Sequence, residues 1–67
     1  MNLKSIEYFL VTVEEMNITR AAERLFISQQ ALSSHLKRLE DEYGVCLFDR
    51  KPSLRLTLEG EQMAFYG

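Results

Sequence analysis

Residues 18–39 read ITRAAERLFISQQALSSHLKRL, and this stretch leaves few folds open. Apolar positions at helical spacing stop at Leu25 and resume at Leu32, with a break of only three to four residues between the two helices. Helices joined by so tight a turn cannot lie antiparallel; they cross steeply, as a helix-turn-helix. Asn17 or Thr19 is placed to cap the first helix, which carries Ala21, Ala22 and Leu25 inward. Two small side chains at the crossing let the backbones approach closely, as steep packing requires. Phe26 and Ile27 are expected to fill the turn, and Ser28 to cap the next helix.

That helix is predicted from Gln29 to about Tyr43, with Leu32, Leu36, Leu39 and Tyr43 as its buried stripe. On the opposite side, residues 29, 33 and 37 form one row and 30, 34 and 38 the next, because i and i+4 share a face. Gln29, Gln30, Ser33, Ser34 and Lys37 are hydrogen-bonding groups of a size that reaches base edges in a DNA major groove. A polar outer face is also what any solvated helix carries. This one has no acidic residue before Glu40, whereas solvated faces usually interleave both signs. The rival reading is a small helical protein-interaction module that meets an acidic partner without DNA. Salt-dependent binding to duplex DNA separates the two.

Around this motif, Leu3, Ile6, Phe9, Leu10 and Val13 give a first amphipathic helix over about residues 3–15. Gly44 is positioned to end the third helix in the left-handed conformation. Val45-Cys46-Leu47-Phe48 is a short β-prone run, Asp49-Arg50-Lys51-Pro52-Ser53 a turn, and Leu54, Leu56 and Leu58 alternate with Arg55 and Thr57. Together they predict a hairpin held to the body by Leu47, Phe48 and Leu56, with Pro52 at the turn. Thr57 can cap a further helix that begins near Leu58 and still runs at Gly67. Its Met63, Phe65 and Tyr66 find no partner in the remaining residues, so the chain reads as cut off.

A chain of 67 residues makes one small domain, which buries only about 60% of its unfolded surface. No apolar run nears the roughly 18 residues needed to span a bilayer, and the first residues lack a secretory signal. One cysteine, Cys46, excludes an internal disulfide framework and fits a reducing cytoplasm. It stands eleven residues from the lone His35, which is no zinc spacing, so Cys46 is expected as a small buried hydrophobe. His35 is expected at the rim of the polar face, within reach of a phosphate. Neither a serine–histidine–acid constellation nor a glycine-rich phosphate loop is present, which argues against an enzyme and against any cofactor. The net charge of −2 runs against nucleic-acid binding, but the charges are segregated. Residues 20–38 carry four basic residues against Glu23, and residues 49–55 three against Asp49. Local sign decides, because charge beyond about 8–10 Å is screened at physiological salt.

The string AAERLFISQQALSSHLKRLEDEYGVCLFDR, followed by LTLEG, resembles the amino-terminal domain of LysR-type bacterial transcriptional regulators. The matching positions are Ala21-Ala22, Leu25, Ser28-Gln29, Ala31-Leu32-Ser33, Leu36, Leu39-Glu40, Gly44, Leu47-Phe48-Asp49-Arg50 and Leu56-Thr57-Leu58-Glu59-Gly60. The opening Met-x-Leu and Phe9 also fit, so the resemblance covers essentially all 67 residues. Another winged-helix family would share the groove chemistry but not the Leu-Phe-x-Arg and Leu-Thr-x-x-Gly strings.

The resemblance implies a mainly α fold: a winged helix-turn-helix of three helices and a two-stranded β wing, then the start of a linker helix. It divides the chain into a DNA-binding domain at 1–57, with the helix-turn-helix at about 18–37, and a truncated linker or dimerisation helix at 58–67. The effector-binding domain is absent. Relatives read bases with the first residues of the third helix, which here are Gln29, Gln30, Ser33 and Ser34. The wing's Arg50, Lys51, Ser53 and Arg55 would follow the backbone and minor groove, although Arg50 could instead pair with Asp49. Arg20, Arg24, Ser28, Lys37 and Arg38 complete the backbone contacts, with Arg38 alternatively paired to Glu42 at i+4. Ser33 and Ser34 suit a phosphate as well as a base. Three departures stand out: Gln30 replaces the usual proline, Ser34 replaces a frequent arginine, and the wing is one residue shorter than the commonest form. The implied partners are double-stranded DNA and a second copy of the chain, or a tetramer, in the full-length protein. The fragment itself is expected as a monomer or weak dimer. A small-molecule effector would enter only through the missing carboxy-terminal part.

Overall fold

Asn17 and Ser28 set the two boundaries that make the helix-turn-helix. In the computed structural model, which describes residues 3–51 and 53–66, α1 spans Leu3–Glu15, α2 Ile18–Leu25 and α3 Gln29–Tyr43. The two-residue strands β1 (Phe48–Asp49) and β2 (Arg55–Leu56) follow, then α4 (Leu58–Tyr66). The placement of Pro52 in the turn and the continuation of the last helix to Gly67 lie outside the described residues. Of the two candidate caps for α2, Asn17 takes the role: its side chain accepts from the Arg20 amide at 3.0 Å. Ser28 accepts in the same way from Ala31, also at 3.0 Å. Each cap satisfies one of the amides that a helix start leaves without a partner.

Both helices end in the same backbone device. After α2, the Phe26 amide donates to the Glu23 carbonyl and the Ile27 amide to Ala22; after α3, Gly44 donates to Asp41 and Val45 to Glu40. These are paired Schellman closures, which need a left-handed residue at the reversal. Gly44 meets that need at φ 68°, and Phe26 meets it at φ 58°.

The core is Tyr8, Phe9 and Thr12 from α1, Ala21 and Ala22 from α2, Leu32, Leu36 and Leu39 from α3, and Leu47 and Phe48. The alanines are fully covered, as the steep crossing of α2 on its neighbours demands. Thr12 is buried without penalty because its hydroxyl donates to the Tyr8 carbonyl at 2.8 Å. The Phe9 and Phe48 rings, 5.6 Å apart, tie the hairpin to α1.

Five residues of these elements and turns depart from expectation. Leu3 and Leu10 are exposed, because the inward face of α1 is centred on Tyr8, Phe9 and Thr12. Ile6, Phe9 and Leu10 instead border an open apolar groove of about 440 Å³ with Met63 and Tyr43. Tyr43, one turn beyond Leu39, lies past the covered part of the stripe and is half-exposed. Cys46 is exposed rather than buried, and its neighbours Leu47 and Phe48 take the core positions instead. Phe26 does not fill the turn: it is 95% exposed, since the left-handed closure directs its side chain outward while Ile27 packs on the core.

The strands are shorter than the β-prone runs that predict them. They pair antiparallel, with Phe48 opposite Leu56 and Asp49 opposite Arg55. Next to that pair, the Leu47 and Phe48 amides are taken by a side chain instead of by the opposite strand. Glu40 accepts the Leu47 and Phe48 amides at 2.8 and 3.2 Å. Thr57 donates its amide to the Leu47 carbonyl and its hydroxyl to that of Cys46, and its hydroxyl oxygen accepts from Gly60. Thr57 therefore caps α4 and anchors it at once.

Candidate nucleic-acid interface

Fixing Leu32, Leu36 and Leu39 in the core turns the other side of α3 to solvent. Gln29, Gln30, Ser34, Lys37 and Arg38 are exposed there, and Ser33 is half-exposed. Fifteen residues at about 1.5 Å each give a rod of roughly 22 Å, and a helix of this kind fits a groove about 12 Å wide. Glu40 does not interrupt that surface, because its carboxylate is turned toward the hairpin amides. Asp41 and Glu42 are the first acidic groups to join the two polar rows, so the amino-terminal two and a half turns present only neutral and basic groups.

The other expected contact residues divide into free and engaged groups. Arg20 is exposed at the first turn of α2, and Ser28 is exposed while its oxygen caps α3. Arg24 is bound to α1: one guanidinium nitrogen lies 2.8 Å from Glu14 and 3.0 Å from Glu15. Hydrogen bonds to those carboxylates raise its pKa above the usual arginine value, so the guanidinium stays charged. On the hairpin, Arg50, Lys51, Ser53 and Arg55 are all exposed, and the Asp49 carboxylate accepts from the Lys51 amide across the turn. His35 does not stand free at the rim: its ring packs edge-to-face on Tyr8 at 4.7 Å and it is half-buried.

Two residues that organise the interface escape a reading of side-chain type alone. Glu40 counts in the sequence as one more negative charge, yet it fixes the hairpin to α3. Gly60 counts as a helix-weakening glycine, yet a Cβ there would lie 2.2 Å from the Leu47 carbonyl oxygen. The signal for both was their place in the Leu-Glu and Leu-Thr-x-x-Gly strings.

The sequence pattern described as bacterial regulatory helix-turn-helix protein, lysR family, matches residues 3–61. The chain belongs to that family. It is 43% identical over 65 residues to the transcriptional regulator BsdA of Bacillus subtilis, covering 97% of this chain and 22% of BsdA. It is 47% identical over 60 residues to CatR of Pseudomonas putida, covering 90% of this chain and 21% of CatR. The chain thus spans about a fifth of the length of these curated relatives. Among solved structures it superimposes on the BenM DNA-binding domain in complex with catB site 1 DNA. The TM-score is 0.92 at 37% identity, over 98% of this chain and 75% of that one. The fold is therefore the winged helix-turn-helix of LysR DNA-binding domains.

Proposed function

We propose that this LysR-family chain binds double-stranded DNA sequence-specifically, as the DNA-binding domain of a transcriptional regulator. The observation that carries the reading is the acid-free outer flank of α3, exposed except at half-exposed Ser33, while its opposite stripe is locked in the core. The solved DNA complex of the BenM domain, of the same fold, supports it. α3 lies in the major groove, where Gln29 and Gln30 can make bidentate pairs with adenine and Ser33 and Ser34 reach bases or phosphates. Arg20, Ser28, Lys37 and Arg38 hold the backbone, while the hairpin sets Arg50, Lys51, Ser53 and Arg55 along it. Arg24 joins them only by leaving Glu14 and Glu15. Residues 1–57 form the binding unit. α4 begins a linker helix that pairs two copies, a role supported by exposed Leu58, Phe65 and Tyr66 and by the groove beside Met63. Two protomers would then address half-sites one helical turn, or a multiple, apart.

Paired substitutions test the assignment by fluorescence anisotropy across a salt series. Lys37→Ala should weaken binding to every duplex alike and flatten the salt slope by about one unit. Gln29→Ala should instead lose about 1–3 kcal/mol of discrimination on a selected site while leaving random duplex little changed. Equal losses on both duplexes would remove Gln29 from base reading, and salt-independent binding would remove DNA from the account.

A further inference from the structure

Phe26 is held in a conformation that works against both its backbone and its side chain. The chain closes α2 and α3 with the same pair of hydrogen bonds. It meets the left-handed requirement with glycine at residue 44 and with phenylalanine at residue 26. A bulky residue at φ 58° is a strained choice where Gly or Asn would be at ease. The ring gains nothing from the protein in return, being 95% exposed. Strain retained at one position, with no packing to offset it, marks a candidate for function.

Its place in the fold says which function. Two peptide units, spanning at most about 7.6 Å, separate its Cα from that of Ser28, the cap of α3. A duplex that receives Gln29 and Gln30 in its major groove would bring the edge of that groove close to this turn. The apolar feature of the base edges in that groove is the 5-methyl group of thymine, with which a phenylalanine can make apolar contact. We propose that Phe26 is a further specificity-determining residue, packing on a thymine methyl beside the bases that α3 reads. This rests on the DNA-binding reading above and adds a contact from the turn rather than from the helix.

The test uses a duplex selected by this chain from a random library, and the same duplex with deoxyuridine in place of thymine. Phe26→Asn should hold or raise the melting temperature, because asparagine tolerates the left-handed region. It should also weaken binding to the selected duplex by about three- to tenfold. Deoxyuridine should weaken the unmodified protein by a similar factor and leave the variant unaffected. Wild-type affinity in the variant would overturn the proposal. A loss that deoxyuridine merely multiplies would overturn the thymine contact, placing the ring on deoxyribose or on no apolar group at all. Absence of salt-dependent duplex binding by the unmodified protein would instead overturn the DNA-binding reading itself, and the two failures are thereby told apart.

Discussion

Gly60→Ala is expected to destabilise the domain by about 3 kcal/mol, and so to lower its melting temperature by roughly 12–24 °C. In an ordinary helix the same change would stabilise by about 1 kcal/mol, since alanine is the better helix former. Here sterics oppose propensity and prevail. The added Cβ would meet the Leu47 carbonyl oxygen at 2.2 Å and the Leu56 side chain at 2.8 Å. The oxygen belongs to backbone fixed by the Thr57 amide, so it cannot swing aside as a flexible side chain would. α4 would have to lift off the hairpin, taking the Thr57 anchors with it. Thermal unfolding followed by circular dichroism measures the effect. An unchanged or raised melting temperature would show that α4 is not seated on Leu47.

Glu40→Ala is expected to cost about 2 kcal/mol, because it strips the acceptor from two partly buried amides, those of Leu47 and Phe48. Glu40→Gln should cost roughly half as much: its amide oxygen can still accept, but without the charge that about doubles such a bond. Chemical denaturation of the two variants gives the comparison. Equal stability of both variants and the parent would mean that water replaces the carboxylate freely. The substitution also exposes what joins the hairpin to α3, because the link runs through a side chain rather than a strand ladder. A hairpin freed in this way should bring less of Arg50, Lys51 and Arg55 to bear on DNA, visible as a shallower salt dependence.

Much of this architecture could be read before any coordinate was known, for reasons specific to particular residues. Capping chemistry is local: Ser28 and Gly44 act on amides and carbonyls within five residues of themselves, so sequence order is spatial order. The stripe of Leu32, Leu36 and Leu39 obeys the helix period, and fixing it fixes which residues face outward. α1 does not announce its buried face in this way, because that helix is apolar on two sides. Periodicity gave equal standing to Leu3 and Phe9, and only the positions of α2, α3 and α4 separate a covered face from one that borders an open groove.

What the sequence by itself determined is the helix-turn-helix, the Ser28 and Gly44 caps, and the identity of the polar outer flank of α3, because each follows from interactions within a few residues of one another. The tertiary structure alone decided that Arg24 spends its charge on Glu14 and Glu15, that Glu40 braces the hairpin, that Gly60 must lack a side chain, and that Phe26 stands in solvent. Those outcomes depend on distances between segments that are remote along the chain. Residue type states what a group can do, and only the fold brings it a partner or leaves it without one.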